Sequence, residues 1–229
     1  MIPIRDINPT QRFSIITTLL IVVNIAVYVY EMLLGPRAEF FVQAFALVPR
    51  ELFSPQLNAA GSIPAWATVI TSMFLHGGIF HVGGNMLYLW IFGNNIEDAM
   101  GRFRFVLFYA LCGSIAAYSH AVLNATSAVP MIGASGAVSG VLGAYLMLYP
   151  RARVMTLVVF GFYIRTMAVP AMFVLGFWFI LQFLNAALSP GTGAGIAWHA
   201  HIGGFIAGVT LIGLFKRRNV PFGGRRSDG

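Results

Sequence analysis

Four polar side chains in this sequence have types and spacings suited to acyl transfer. Ser135 lies in Gly133-Ala134-Ser135-Gly136. A serine hydroxyl attacks a carbonyl only when a neighbouring base takes its proton. His201, in Ala200-His201-Ile202-Gly203-Gly204, is a base of the right kind, with an unperturbed pKa near ~6.5. His81 and Asn85 are four apart and share one helix face. They are the natural side-chain donors for a developing oxyanion, which the backbone N–H of Ser135, unpaired at a helix start, also suits. Taken singly, each residue has a plainer reading: a serine among small residues packs helices, and a His/Asn pair glues them.

What joins the four is their helical context. Gly136, Gly140 and Gly143 form a stripe on the helix that opens at Ser135, and Gly204 and Gly208 form another, three and seven residues after His201. Such stripes let two helices approach closely. If they pack together, Ser135 and His201 come within hydrogen-bond reach, each about one turn, ~5–6 Å, below the end of its helix. A triad would add a buried carboxylate to orient the imidazole. The acids are Asp6, Glu31, Glu39, Glu51, Glu97, Asp98 and Asp228, and none is expected inside the external half of a span. The expectation is a Ser/His dyad.

The elements that position these residues follow from composition. Of 229 residues, 58% are hydrophobic and only 9% charged, against roughly 25% charged in ordinary soluble domains. A soluble globular fold and a disordered chain are both excluded. The net charge of +7 is carried by basic residues scattered between apolar runs, so no nucleic-acid partner is expected. The single cysteine, Cys112, can form no internal disulfide.

Six apolar runs approach the ~20 residues that cross a bilayer: 13–34, 79–96, 105–123, 131–149, 167–187 and 196–215. The expected class is therefore all-α, a six-transmembrane-helix bundle in the lipid bilayer. Residues 1–12 form the N-terminus, 13–215 the six-helix domain, with a long external loop over 35–78 expected to hold short interfacial helices, and 216–229 a basic tail. The stretch Val154–Ile164 is too short to span and reads as an interfacial segment or a helix extension. With six spans, twelve basic residues share one side (Arg5, Arg12, Arg102, Arg104, Arg151, Arg153, Arg165, Lys216, Arg217, Arg218, Arg225 and Arg226), while Arg37 and Arg50 lie on the other. That asymmetry puts both termini in the cytoplasm, and all five histidines toward the external face.

The Gly133–Gly136 run, the H-x-x-x-N pair His81 and Asn85, and Ala200–Gly204 resemble motifs of the rhomboid intramembrane serine proteases. So do Phe74-Leu75-His76-Gly77-Gly78 and the pair Glu97 and Gly101. The likeness covers about residues 60–210. It implies Ser135 as nucleophile, His201 as general base, and His81, Asn85 and the Ser135 amide as oxyanion hole, with no cofactor and no metal. It also implies single-span or multi-span membrane proteins as substrates, cut near the external face, and a bacterial inner membrane as the location. The bulky fifth span (Phe173, Phe177, Trp178, Phe179, Phe183) and the loop 188–195 resemble the family's lateral gate and cap. Two positions depart from the pattern. Ser139 stands where some members stack an aromatic on the catalytic histidine, and Trp66 is followed by Ala67 where some carry arginine. Two alternatives stand beside this reading: a haem- or metal-binding protein using the clustered histidines, and a non-catalytic rhomboid-like binding protein. A metalloprotease would want His-Glu-x-x-His, and no His-Glu pair occurs.

Overall fold

A computed structural model describes residues 1–58, 61–188 and 197–224. Each of the six apolar runs contains a helix. The first, Ile15–Leu33 (α1), is followed by the short helices Ala38–Phe45 (α2), Pro49–Phe53 (α3) and Ala65–Thr71 (α4), which occupy the expected loop. In α2, Phe41 packs between Tyr30 of α1 and Phe45, while Phe40 and, on α4, Trp66 stay exposed. A bend of 82° then leads into Ile79–Met100. This helix comprises Ile79–Tyr88 (α5), a π-type stretch Leu89–Gly93, and Asn94–Met100 (α6). After it come Arg102–Leu123 (α7), Ser135–Leu148 (α8), Ala171–Leu188 (α9) and Trp198–Phe215 (α10).

Among the described residues, four helices qualify as spans by length and apolarity, α1, α7, α9 and α10, or five if the bent pair of α4 with α5–α6 counts as one. The protein is a multi-pass membrane protein. Helix α8 is only 14 residues long, ~21 Å at 1.5 Å per residue. It starts late because the preceding chain bonds elsewhere. Met131 exchanges backbone hydrogen bonds with Leu47, the Gly133 N–H donates to the Ser72 carbonyl at 2.8 Å, and Gly133 turns the chain with φ +121°, a conformation that favours glycine.

The stretch read as an interfacial segment or a helix extension extends no helix. Arg153–Phe160 (β2) and Tyr163–Pro170 (β3) form a hairpin turned at Gly161 (φ +56°), and Ile2–Asp6 (β1) pairs with β2. The result is an antiparallel three-stranded sheet in the order β1-β2-β3, so the molecule is mainly rather than entirely α. Valines and threonines in this stretch favour the pleated backbone over a helix. The hairpin also takes residues 167–170 from the expected fifth span, and α9 therefore begins at Ala171.

At the sheet end of the bundle, carboxylates secure the first helix. Glu97 accepts the backbone N–H groups of Ile16 (3.1 Å) and Thr17 (2.8 Å) and the Thr17 hydroxyl (2.8 Å). It thereby satisfies N–H groups that a helix start leaves unpaired, with charge of the favourable sign. Glu97→Ala is expected to destabilise the fold by roughly 2–3 kcal/mol, read as a lower unfolding temperature in detergent micelles.

Asp6 accepts hydrogen bonds from Asn95 Nδ2 (2.6 Å), the Tyr145 hydroxyl (2.7 Å) and the Asn8 backbone N–H. Burial raises its carboxyl from 3.8 to about 6, against the downward pull of the Tyr145 and Asn8 bonds. Because the folded chain holds this proton more tightly than the unfolded one, the Asp6 contribution falls as pH rises from about 4 to about 6 and is level on either side. Asp6→Asn is expected to flatten unfolding temperatures measured across that window.

The core is built where α8 meets α7 and α10. A Cβ on Gly204 would collide with the Gly136 carbonyl, and one on Gly208 with the Gly140 carbonyl. The two expected stripes therefore do face each other, backbone against backbone. Cys112 fills the third side, buried beside Gly140.

Candidate active site

Helix contact along the glycine stripes fixes what happens at their ends. Ser135 opens α8 and His201 lies in the first turn of α10, both at the end of the bundle opposite the sheet. There His201 Nε2 stands 2.8 Å from Ser135 Oγ. The depth of the two side chains is matched, as the stripes require, and the pair has the geometry of a nucleophile and its base.

The other ring nitrogen, His201 Nδ1, lies 2.7 Å from Oε1 of Gln182 on α9. Sequence reasoning missed Gln182. The available signal was an amide in a span whose only other polar side chain is Asn185, where an unpaired polar group is costly. Ser139, at the position of the absent aromatic, donates its hydroxyl to the Ser135 carbonyl at 2.6 Å. Two indoles flank the imidazole, Trp178 and Trp198, each with its centroid 6.0 Å away at 34° and 90°.

His81 and Asn85 lie on α5, facing the turn before Ser135. A Cβ built on Gly133 would stand 2.7 Å from His81 Nε2 and 3.8 Å from Asn85 Nδ2, so both nitrogens converge on one spot beside the serine. His81 Nδ1 accepts the Gly77 N–H at 3.4 Å, which leaves Nε2 as the protonated nitrogen. Asn85 is 8% exposed and its Nδ2 has no partner. A buried donor without an acceptor is rare and costly. Here it looks into a cavity of about 680 Å³ lined by His81, Asn85, Ser135, Trp178, Gln182 and His201 among others. The structure thus brings together all four expected site residues.

The remaining histidines gather at the same end but in separate pairs. His76 meets His81 edge to face at 5.1 Å, and His120 lies 6.5 Å from His199. Among the described residues no three His, Cys, Asp or Glu side chains form a group able to hold a metal ion.

One expectation about the acids is corrected. Glu31 is not outside the spans: it lies within α1, buried near the helix end, where it accepts the backbone N–H of His76. It lies two residues before the last residue of α1. It orients no part of the Ser135–His201 pair, whose ring nitrogens are both occupied by other partners. The loop 188–195, expected as a cap, lies outside the described residues apart from Leu188, as do Arg225 and Arg226 of the tail.

The chain is similar to several known proteins. The family model described as Rhomboid domain matches residues 64–218. Rhomboid protein 1, mitochondrial, of Saccharomyces cerevisiae is 29% identical over 196 residues, 82% of this chain and 49% of that protein. Rhomboid protease GluP of Bacillus subtilis is 34% identical over 170 residues, 72% of this chain and 29% of that protein. Mouse presenilin-associated rhomboid-like protein, mitochondrial, is 36% identical over 87 residues, 37% of this chain and 23% of that protein. The chain therefore spans half or less of the length of these relatives.

Proposed function

The chain belongs to the rhomboid family, and on that premise we propose that it is an intramembrane serine endopeptidase working through a Ser135/His201 dyad. The observation that carries the proposal is the 2.8 Å contact between Ser135 Oγ and His201 Nε2, set beside an unpartnered Asn85 amide. In this reading Ser135 Oγ attacks the scissile carbonyl as its proton passes to His201 Nε2. His81 Nε2–H, the Asn85 amide and the Ser135 backbone N–H receive the oxyanion. His201 then gives the proton to the leaving amine, and water admitted through the cavity hydrolyses the acyl-enzyme by the same steps. No cofactor or metal enters the scheme. The non-catalytic alternative would leave the aligned serine, base and donors without a purpose.

The substrates proposed are membrane proteins of one or more spans. They would enter past α9, the lateral gate, where Phe173, Phe177 and Phe183 are exposed and Trp178 faces the cavity. Residues 13–215 form the protease domain with six crossings, α8 being the short fourth crossing shielded inside the bundle. The charge asymmetry supports both termini and the sheet on the cytoplasmic side, with the site toward the external face. The proposed location is a bacterial inner membrane. The relatives include mitochondrial and Bacillus proteins alike, so residence in a membrane is common to them and the particular membrane is not.

Reconstitution in proteoliposomes with a single-span substrate tests the proposal. Cleavage by the wild-type protein that is lost in both Ser135→Ala and His201→Ala supports it. Equal cleavage by all three overturns it.

A further inference from the structure

The dyad leaves open what holds the imidazole in place. Among the described residues no carboxylate reaches His201, and Ser139 is turned to its own helix. Trp178 lies tilted at 34° and Trp198 meets the ring at 90°, both centroids 6.0 Å away, contacts that pack the ring but select no tautomer. Among the described residues, the hydrogen bond at Nδ1 runs to Oε1 of Gln182, which accepts it.

Gln182 is unusual within α9. Its neighbours Ile180, Leu181, Phe183 and Leu184 are all exposed on the surface of the bundle, whereas Gln182 is only 7% exposed. Among the described residues it is the one buried side chain in the second half of the helix. A buried amide in an apolar helix needs a partner to offset its lost hydration, and its partner is the base. With Oε1 toward the ring, Gln182 can only accept, so Nδ1 carries the hydrogen. Nε2 is then left with its lone pair directed at Ser135 Oγ. That is the one neutral form of the imidazole able to take the serine proton.

We propose that Gln182 is the positioning residue of His201, a neutral counterpart of the carboxylate in a triad, which selects the Nδ1–H tautomer and ties the base on α10 to α9. The proposal rests on the protease reading above. Unlike a carboxylate, Gln182 contributes no full charge to the imidazolium formed during the reaction. Among the described residues, the other titratable groups facing His201 are His81 from α5 and His120 from α7. Both are present in every variant compared below.

The test combines kinetics with a direct view of the ring. In the full chain with 15N-labelled histidine, NMR is expected to find His201 as the Nδ1–H tautomer, shifting toward Nε2–H in Gln182→Leu. Cleavage by Gln182→Leu is expected to lose kcat by on the order of 10–100-fold with KM within about twofold. Gln182→Glu retains an acceptor and is expected to recover most of kcat. Its carboxylate favours the protonated ring, so the acidic limb of the kcat/KM profile moves to higher pH. A role limited to helix packing would not move that limb. The proposal is overturned if wild-type His201 is the Nε2–H tautomer, if Gln182→Leu keeps wild-type kcat, or if Gln182→Glu neither recovers activity nor shifts the profile. Ser135→Ala run alongside separates the two levels. Cleavage that persists in Ser135→Ala removes the protease reading itself, whereas cleavage lost there but kept in Gln182→Leu removes only the role of Gln182. If Gln182→Leu does not fold, the wild-type tautomer and the Gln182→Glu profile still decide.

Discussion

Ser135→Ala is expected to abolish cleavage of a single-span substrate, with His201→Ala falling equally far and the double variant no further. Each removes one half of a single proton-transfer unit, and such residues act non-additively. In soluble serine proteases the loss of nucleophile or base costs on the order of 10⁶-fold in kcat. The fold should survive the serine change. Ser135 contributes one side-chain hydrogen bond, to His201 at 2.8 Å, worth roughly 1 kcal/mol, while α8 and α10 are held by backbone contact along Gly136, Gly140, Gly204 and Gly208. Cleavage rates in proteoliposomes and unfolding temperatures in detergent, measured on the same preparations, check both halves of this expectation.

Asn85→Ala is expected to reduce kcat by on the order of 10²–10³-fold, the usual effect of deleting one oxyanion donor. Convergence of His81 Nε2 on the same spot beside Gly133 places the loss toward the lower figure. Stability should not fall with it. Asn85 Nδ2 has no partner in the resting protein, so its removal breaks no hydrogen bond and leaves no new orphan. Slow cleavage at an unchanged unfolding temperature would mark Asn85 as a residue kept for the reaction. A matching drop in stability, with the rate intact in the fraction that remains folded, would instead make it a packing residue.

Local spacing made most of the site legible. His81 and Asn85 share a face because they are one turn apart, and Ser135 and His201 meet because two glycine stripes leave only one way to pack α8 on α10. The helices appeared where apolar length demanded them, except where a distant partner intervened. Met131 bonds to Leu47 and so shortens α8 from its start, and Ile2–Asp6 pairs with Arg153–Phe160 across most of the chain. Pairing of that kind has no local signature. The valines and threonines of 153–170 marked strand propensity, but an apolar count cannot separate a hairpin strand from a short helix. Gln182 escaped notice for a related reason: its partner His201 is 19 residues away on another helix. Glu31 was misplaced because its burial rests on a distant partner, the His76 backbone, which local sequence does not reveal.

Covalent capture of the nucleophile tests the account most directly. The intact protein in lipid vesicles, treated with a fluorophosphonate and mapped by mass spectrometry, is expected to carry one adduct, on Ser135. The adduct should be absent in His201→Ala, because the hydroxyl is activated only by that imidazole. Labelling of another serine, or labelling of Ser135 at the same rate without His201, would contradict the dyad.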